Sequence, residues 1–463
     1  MASENKGEPP KLILPGKGIL TEEKIIKMAN EQEKIEEHTK EIVMKDFGSK
    51  VVESVEDGFL ICNSGNVHFA KNVIDGDILY ISKKQEPYRP YTLPKSLSNQ
   101  DIVKLYNDVY SVVEDFLDIE DDYKHLITIA IFFSYQQHKS TTTPYLYASG
   151  EKGSGKSRLL EIFEELGYRP MMATAISGAN ILTYLAEGTY GCPCGIILDD
   201  EVKESIDNDS DKRGIYLTGY RRSGKVPKTR FDSNGKRIQD WFFSFSLKVF
   251  ASKLLVDNDQ LIDRSILPPM VKGKPKFGGF TVDGTDNRRF QEIRGRLLLW
   301  KLYTYYEQFT LERPTCRDDE IFFPLLKTAK FLQNDKAYQA VLRISKKDKT
   351  EKEESMRGTL EAKLLIAIIK VNQVRRSETM PFADIFGTLS QVVNGRIEEG
   401  KIKSGDYGEL STRKIGGIIT NIFKAETRVA KFEGKNQTMR IFKKDVLEKM
   451  VDVYGITQED TNK

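Results

Sequence analysis

The segment from Gly150 to Ser157 has the residue types and spacing of a phosphate-binding loop. It reads Gly-Glu-Lys-Gly-Ser-Gly-Lys-Ser and fits the pattern G-x-x-x-x-G-K-[ST] at every position. The apolar run YLYAS precedes it and the helix-forming run RLLEIFEEL follows it, so the loop would connect a strand to a helix. Backbone N–H groups in such a loop, together with the helix N-terminus, attract a phosphate. The alternative is a glycine-rich surface turn.

Lys156 and Ser157 end the loop and carry side chains suited to a bound nucleotide. The Lys156 ammonium would reach the β- and γ-phosphates, and the Ser157 hydroxyl would ligate Mg²⁺. The sequence therefore predicts ATP and Mg²⁺ as cofactors. The predicted nucleotide-binding residues are Gly150, Gly153, Ser154, Gly155, Lys156, Ser157 and Arg158.

Three acidic residues, Asp199, Asp200 and Glu201, follow the apolar strand Gly195 to Leu198. One carboxylate would hold Mg²⁺ and another would orient the attacking water. Two registers are open, Asp199 with Asp200 or Asp200 with Glu201, and we favour the second because a Glu side chain reaches a water more easily. We predict Ser157, Asp199 and Asp200 as metal ligands, and Asp200 and Glu201 as catalytic residues. Three acids on a solvated turn are the alternative.

A third strand is predicted from Trp241 to Ala251, and it ends in Ser252 and Lys253. In ATPases with a polar strand inserted between the P-loop strand and the acid strand, a residue at this point senses the γ-phosphate, so Ser252 is the candidate sensor. Arg264 comes next, where AAA+ ATPases carry an arginine finger that completes a neighbouring subunit's site. The alternatives are an ordinary strand-end Ser and a surface or structural Arg.

A basic segment lies between the acid strand and the third strand. From Arg221 to Arg237 it holds seven basic residues and one acid, Asp232, and its Asp-Ser-Asn-Gly run is a hairpin turn signal. A basic hairpin is suited to the phosphates of a nucleic-acid strand. The alternatives are a solvated loop, or arginines that serve only ATP. The predicted nucleic-acid contacts here are Arg221, Arg222, Lys225, Lys228, Arg230, Lys236 and Arg237.

The elements that position these residues alternate between short apolar strands and helical segments. This alternation predicts an α/β domain with a mainly parallel sheet over residues 96–344, including a helical lead-in and a helical extension. A polar tail and helix precede it in residues 1–45, and residues 46–95 read as a small β-rich module because short β-rich runs alternate with Asp-Gly and Ser-Gly turns.

The C-terminal region reads as a winged helix. A charged segment, residues 345–357, is predicted as a linker, and residues 358–463 contain three helical runs followed by two short strands around a Gly turn. Arg413 and Lys414 begin the predicted recognition helix, where such a domain approaches the DNA backbone. A winged helix used for protein contacts is the alternative.

Composition limits the class of protein. The 463 residues suffice for two or three domains, and 71 Lys and Arg against 68 Asp and Glu give a net charge of only +3, so a basic site must be local. The N-terminus lacks the apolar core of a signal peptide, and no run of about 18 apolar residues occurs. We expect a soluble cytoplasmic protein without a membrane partner.

The run from Pro144 to Pro268 resembles a family of P-loop ATPases encoded by phages, plasmids and integrated elements, often linked to primases and similar to superfamily 3 and MCM-type helicases. The segments GYRRSGKVPKTRF and LIDRSI, with the spacing between them, carry the resemblance more specifically than the P-loop does. The likeness extends more weakly to residues 317–329 and to the winged helix. It implies an AAA+-type core in which hydrolysis, sensing and action in trans are carried by Lys156, Ser157, Asp200, Glu201, Ser252 and Arg264. The extra Asp199 departs from the family's usual single Asp-Glu pair.

This resemblance, with the basic hairpin, implies an oligomeric ATP-driven DNA translocase or helicase in the replication of a mobile element. A hexamer would thread a single strand through a central channel past the hairpins, while the winged helix binds duplex DNA. A primase or another replication protein is a candidate partner. The alternative is a DNA-binding switch, loader or defence-associated ATPase that does not translocate. A metabolic kinase is disfavoured because it would leave the winged helix unexplained.

Overall fold

The structure is a computed structural model that describes residues 39–83, 91–96, 98, 101–174, 176–188, 192–231, 235–281, 284–314 and 316–462. The turn predicted at residues 232–234 lies outside the described residues, and so does the helix predicted in the first 45 residues as far as residue 38. From residue 39 the helix prediction is wrong, because Thr39–Ile42 and Met44–Asp46 are strands. By its internal contacts the chain divides into two compact units, residues 1–344 and 345–463.

The first unit begins with a module of seven short strands. Strands β2 to β5 form an antiparallel sheet, and β7 lies between β1 and β6 in a second sheet. The β4–β5 hairpin turns at Ser64 and Gly65, whose φ values of 47° and 81° suit a two-residue turn. The strand bounds are β1 Thr39–Ile42, β2 Met44–Asp46, β3 Lys50–Val55, β4 Gly58–Asn63, β5 Asn66–Ala70, β6 Asn72–Asp75 and β7 Ile78–Ser82.

A buried carboxylate attaches this module to the rest of the first unit. Glu53 on β3 is fully buried, and its carboxylate accepts hydrogen bonds from Lys301 at 2.7 Å and from Arg169 at 2.9 Å. The Tyr168 hydroxyl donates a third bond, at 2.9 Å. Burial opposes ionisation of Glu53, but the two cations outweigh it, so its pKa is lowered. Removal of Glu53 would leave two buried cations without their carboxylate partner, which is strongly destabilising.

An α/β domain follows the module. Its strands are β8 Tyr145–Ser149, β9 Pro170–Met172, β10 Ile196–Asp200, β11 Lys225–Phe231, β12 Arg237–Phe243, β13 Lys248–Ser252 and β14 Ser265–Ile266. Its helices are α1 Ile102–Phe116, α2 Asp121–Gln136, α3 Lys156–Leu166, α4 Gly178–Leu185, α5 Val202–Asn208, α6 Ser210–Thr218, α7 Asp259–Ile262, α8 Thr285–Tyr303, α9 Arg317–Phe331 and α10 Asp335–Arg357, with a 3-10 turn at Gln137–Lys139.

The core sheet of this domain has five parallel strands in the order β14-β8-β13-β10-β9. Side chains on both of its faces are buried, which is typical of a parallel sheet covered by helices. The predicted α/β class with a mainly parallel sheet is therefore confirmed. Strands β9 and β14 were not predicted, because runs of three and two residues are too short to show a periodicity.

The third predicted strand, Trp241 to Ala251, is wrong as a single element. Residues up to Phe243 belong to β12 and pair with β11, and only Lys248–Ser252 joins the core sheet as β13. An apolar run shows β character but does not show which partner each half selects.

The second unit contains helices and two small sheets, one of which includes a β-hairpin. Its helices are α11 Leu360–Arg375, α12 Phe382–Val392, α13 Thr412–Asn421, α14 Lys444–Tyr454 and α15 Gln458–Asn462. Its strands are β15 Thr379–Pro381, β16 Arg396–Glu398, β17 Lys401–Ser404, β18 Gly408–Ser411, β19 Glu426–Phe432 and β20 Lys435–Ile441. Strand β20 lies between β15 and β19, and β16 to β18 form a separate sheet.

The segment 345–357, predicted as a linker, is the C-terminal part of helix α10. Its Lys and Glu residues are good helix formers, and Lys352 pairs with Asp348 across one turn at 2.8 Å. The sheet β16–β18 and helices α14 and α15 were not predicted. In the described part of the chain, no helix is both long and apolar enough to cross a membrane.

Lys248 lies fully buried where the β11–β12 hairpin joins the core sheet. Its ammonium donates to the carbonyls of Ser244 at 3.1 Å and Ser246 at 3.0 Å and lies 4.9 Å from the centre of the Tyr145 ring. Burial lowers the pKa of Lys248 to about 7. Its hydrogen bonds therefore hold the root of the hairpin in place, although burial of the charged group costs free energy of desolvation.

Replacing Lys248 by Met should remove a pH-dependent part of the stability. Above pH 7 the folded state releases the Lys248 proton while the unfolded chain keeps it up to its ordinary pKa. The wild type should therefore gain up to about 1.4 kcal/mol per pH unit relative to the variant as the pH rises from 7 towards 10. Urea unfolding followed by tryptophan fluorescence measures this, because both tryptophans, Trp241 and Trp300, lie in the first unit.

The control for this experiment is Lys104→Met, at an exposed position on α1. Its difference from the wild type should be the same at every pH. A pH-independent difference for the Lys248 variant would contradict the lowered pKa of Lys248 in the folded state.

Candidate functional site

The order of the core sheet brings the predicted chemical residues to one edge. Strand β13 lies between the P-loop strand β8 and the acid strand β10, with Ser252 opposite Ser149 and Ala251 opposite Asp200. Because all three strands are parallel, their carboxyl ends meet at the same edge of the sheet. The inserted-strand arrangement on which the sensor prediction depended is therefore present.

The P-loop turns sharply between β8 and α3. Gly155 precedes the helix with φ 93°, a left-handed conformation that glycine adopts without strain. At Gly150 a Cβ atom would lie 2.6 Å from the Met270 carbonyl oxygen, so only glycine fits there. The Lys156 ammonium donates to the carbonyls of Gly150 at 2.7 Å and Glu151 at 3.0 Å, which places this cation inside the loop. The loop and its lysine fit the phosphates of a nucleotide.

Ser157 and Asp200 meet at the mouth of this loop. The Ser157 hydroxyl donates to the Asp200 carboxylate at 3.3 Å, so two oxygen ligands lie together beside the phosphate-binding loop. The Asp200 backbone N–H donates to the Thr174 hydroxyl at 2.8 Å, which holds the end of β10 in place. Oxygen pairs of this kind suit Mg²⁺, which binds one or two protein ligands together with substrate phosphates and waters.

Glu201 is the next residue and lies at the start of α5. Its φ of 61° is left-handed, a conformation that is costly for a residue with a side chain and is concentrated at functional sites. Its side chain is exposed and, like that of Asp200, lines the cleft beside the P-loop. This geometry selects Asp200 with Glu201 as the acidic pair that faces the cleft.

The structure contradicts the prediction that Asp199 is a metal ligand. Its carboxylate is fully buried and does not line the cleft; it accepts hydrogen bonds from Tyr216 at 2.6 Å and from Ser205 at 3.1 Å. Burial raises the pKa of Asp199. Side chains alternate along a strand, so two successive acids cannot both face the same site. Asp199 instead connects the acid strand to helices α5 and α6.

Ser252, the predicted sensor, is also buried and does not line the cleft. Its hydroxyl is buried, bonds the Tyr147 hydroxyl at 2.7 Å and donates to the Leu254 carbonyl. The following residue, Lys253, lines the cleft and approaches Glu151 of the P-loop to 3.7 Å. Lys253 is a candidate for the sensor role that sequence reasoning missed. The same strand end pointed to it, but the side-chain direction was needed to choose between the two residues.

One wall of the cleft is apolar and comes from distant segments. The cleft has a volume of about 560 Å³, and its apolar wall is formed by Phe116, Leu117, Ile119, Val271 and Pro275. This size and lining suit a nucleoside next to the phosphate-binding loop. No motif marks these residues in the sequence.

Arg158 borders the same cleft. It donates to the Gly278 carbonyl at 2.9 Å and lies 4.7 Å from the centre of the Phe280 ring. These contacts connect the first turn of α3 to the segment that supplies Val271 and Pro275.

Arg264 lies at the opposite edge of the sheet. Its carbonyl accepts a hydrogen bond from the Tyr145 N–H at the amino end of β8, whereas the P-loop begins at the carboxyl end. The Arg264 guanidinium donates to the Leu217 carbonyl and lies 5.8 Å from the centre of the Tyr220 ring. Five residues of β8 separate the two edges, or about 13 Å.

The basic segment forms the predicted hairpin. Strands β11 and β12 pair from Lys225 with Phe243 to Phe231 with Arg237. Arg230 pairs with Asp240 and Lys228 with Asp211 on α6, so part of the positive charge is compensated. The predicted residues Lys225, Lys228, Arg230, Lys236 and Arg237 lie on or at the end of this hairpin, while Arg221 and Arg222 lie at its root.

The predicted contacts of the second unit lie on helix α13. Arg413 and Lys414 are exposed in its first turn, and the Ser411 side chain caps the helix by accepting from the Lys414 N–H at 3.2 Å. The helix presents both cations at its amino end.

Comparison with known proteins establishes no family for this chain. No family model matches the sequence, and no curated protein matches it. Among solved structures, it is similar to the NrS-1 C-terminal region (13% identity, TM-score 0.39, covering 89% of this chain and 98% of that one). It is also similar to a structure described as SCCmec type IV Cch, active helicase (12% identity, TM-score 0.42, 94% and 85%), and to Cdc6p from Pyrobaculum aerophilum (11% identity, TM-score 0.20, 75% and 97%). Likenesses this weak do not establish the activity of the chain.

Changing the two cleft-facing acids should separate catalysis from binding. Glu201→Gln should bind Mg-ATP as the wild type does but hydrolyse it about 10²- to 10⁴-fold more slowly, because the amide keeps the shape and loses the basic charge. Asp200→Asn should weaken the Mg²⁺-dependent part of binding. Steady-state ATPase rates and titration with a fluorescent ATP analogue measure these effects.

Glu204→Gln is the matched control, since Glu204 is exposed on the same helix and does not line the cleft. It should hydrolyse ATP at the wild-type rate. If Glu201→Gln also kept that rate while Asp200→Asn bound ATP without turnover, the acidic pair would be assigned incorrectly.

Proposed function

We propose that this chain is an AAA+-type ATPase that assembles into an oligomeric, ring-shaped DNA translocase or helicase of a mobile element and works in the cytoplasm. One observation carries the proposal. Ser157, Asp200 and Glu201 face one cleft beside the P-loop, while Arg264 and the root of the basic hairpin lie near the other edge of the same sheet. In an oligomer of such chains, one face of each subunit carries the ATP site and the opposite face supplies Arg264 to the site of a neighbouring subunit.

Each residue of the cleft has a specific part in hydrolysis. The loop N–H groups and Lys156 bind the phosphates, and Ser157 and Asp200 hold the metal ion. Glu201 orients the attacking water and accepts its proton, and Lys253 places positive charge on the γ-phosphate side. Mg²⁺ supplies charge neutralisation for the phosphates when it is bound.

Arg264 serves a neighbouring subunit in this proposal. A side chain about 13 Å of strand away from its own P-loop does not reach the phosphates there. The Leu217 carbonyl and the Tyr220 ring orient the guanidinium before any partner arrives, which reduces the entropy lost on engagement. A preoriented arginine at the edge of the sheet supports a finger acting in trans.

Two surfaces are proposed to bind DNA. The β11–β12 hairpin presents cations with the exposed aromatic residues Phe231 and Trp241, a combination that suits a single strand, because phosphates meet the cations and bases stack on the rings. In the second unit, the helix–strand–helix order ending in α13 and the β19–β20 hairpin supports a winged helix that binds duplex DNA. Stimulation of the ATPase by long single strands is expected of a translocase; stimulation only by a protein partner would favour the non-translocating alternative.

Subunit mixing tests the role of Arg264. Arg264→Ala should bind ATP but be nearly inactive, since it lacks the trans finger, and Lys156→Ala should be inactive because it lacks a phosphate contact. A mixture contains interfaces that pair an intact P-loop with an intact Arg264. ATPase activity of the mixture on DNA, at fixed total protein, should exceed that of either variant alone.

A doping series controls for coupling around a ring, which would suppress recovery in the mixture. Wild-type protein with increasing amounts of Arg264→Ala should lose activity more steeply than dilution predicts. A linear doping curve together with an inactive mixture would show that Arg264 does not act on a neighbour.

Charge reversal on α13 tests the proposed duplex contact. Arg413→Glu with Lys414→Glu should weaken binding to duplex DNA by about tenfold or more, because phosphate attraction becomes repulsion. Fluorescence anisotropy with labelled duplex measures it. Lys449→Glu, exposed on α14, is the matched control and should bind normally. Unchanged duplex affinity of the double variant would assign this helix to protein contacts.

A further inference from the structure

A second cavity lies at the root of the hairpin, away from the nucleotide cleft. It has a volume of about 730 Å³, and Lys139 to Thr142, which precede β8, form one wall. The residues that precede a parallel strand lie at the amino edge of the sheet, whereas the nucleotide cleft lies at the carboxyl edge. Its charged side chains are five cations and one acid, and they are Lys139, Arg221, Arg313, Arg317, Lys327 and Glu320.

The positive charge in this cavity exceeds the negative charge, since Glu320 is the one acid among the described residues that line it. Among the described residues, the guanidinium groups of Arg221, Arg313 and Arg317 make no hydrogen bond or ion pair with another side chain, and all three are exposed. They stand beside two half-buried lysines that bond only backbone carbonyls: Lys139 donates to Thr304, and Lys327 donates to Lys139 at 2.8 Å. Five cations against one acid make this cavity electropositive and therefore suited to an anion.

Burial disfavours the charged forms of the two half-buried lysines of this cavity, Lys139 and Lys327. It lowers the pKa of Lys139 to about 8 and lowers the pKa of Lys327. A bound anion would raise both pKa values, because a nearby negative charge favours the ammonium form.

The chemistry of the walls indicates which anion fits. Planar guanidinium groups bind phosphate oxygens in pairs, and several spaced cations suit a chain of phosphates better than a single carboxylate. Phe309 and Phe323 also line the cavity and offer apolar surface to a base.

The cavity is continuous with the hairpin. Arg222 donates its backbone N–H to the Thr141 carbonyl at 2.9 Å, and Thr142 forms an isolated β-bridge with Arg221. One backbone connection therefore forms both the wall of the cavity and the root of the hairpin. A strand that passes along the hairpin would reach the cavity next.

We propose that this cavity binds the phosphodiester backbone of the single DNA strand that contacts the hairpin, with Arg313 and Arg317 as its principal phosphate ligands. The inference rests on the proposed DNA-binding function and extends it beyond the hairpin. It gives the strand a second anchor on the same subunit, on the side of the sheet that carries Arg264.

Neutralising the two arginines tests this inference on the full chain. Arg313→Ala with Arg317→Ala should weaken binding of a labelled oligothymidylate by about tenfold or more, and the slope of log affinity against log salt should fall by about 1.4, which is about 0.7 per lost phosphate contact. Anisotropy titrations over a series of KCl concentrations measure both. Binding of a fluorescent ATP analogue should equal that of the wild type, because neither arginine lines the nucleotide cleft.

Two control variants distinguish the possible failures. Lys104→Ala with Arg288→Ala removes two exposed cations outside both cavities and should leave affinity and slope unchanged. Lys236→Glu with Arg237→Glu, at the end of the hairpin, should lose single-strand binding. If only the hairpin variant lost binding, the cavity inference would be wrong and the proposed function would stand. If the wild type bound no DNA, both would be wrong.

Two further outcomes would overturn the inference in favour of another phosphate. Pyrophosphate that displaces the oligonucleotide as well as unlabelled DNA does, at equal phosphate concentration, would assign the cavity to a free polyphosphate. Normal DNA binding with lost DNA-independent ATPase activity, recovered on mixing with Lys156→Ala, would assign the arginines to a neighbour's ATP site.

Discussion

The position of β13 between β8 and β10 is the constraint on which the rest of the structure depends. Hydrogen bonds along both sides of this strand set the distance between the P-loop and the acidic residues, so that Ser157 reaches Asp200. The same strand receives the chain directly from the hairpin, through Ser244 to Leu247. One central strand therefore connects the cleft beside the P-loop to the basic hairpin, and the parallel arrangement places them at different edges of the sheet.

Buried polar groups hold this arrangement together at three points. Asp199 accepts from Tyr216 and thereby ties the acid strand to α6, which leads into the hairpin root. Lys248 holds the root of the hairpin on the side where β12 ends, through backbone carbonyls. Glu53 attaches the N-terminal β module through Arg169 and Lys301. Each group is costly to bury alone and is tolerated because its partners are present, so these points favour one arrangement of the segments.

Contiguous motifs account for the part of the site that the sequence could predict. The P-loop, the acid triplet and the basic hairpin each lie within a short run, and local geometry follows from residue types and turn signals. The choice between neighbours was different. At the ends of β10 and β13, successive side chains point in opposite directions, and the pairing of the strands decides which of the two faces the cleft. Asp199 and Ser252 are therefore buried, and Lys253 lines the cleft.

The sequence alone determined the P-loop motif, the alternation of strands and helices that indicates the α/β class, and the basic hairpin, because each shows in residues close together in the chain. Tertiary structure alone decided the apolar wall of the cleft beside the P-loop, which Phe116 and Val271 both line, and the cationic cavity that is lined by Lys139, Arg221 and Arg317. These sites are formed by segments far apart in sequence. Only the order of strands in the sheet brings them together, and periodicity within a segment carries no information about that order.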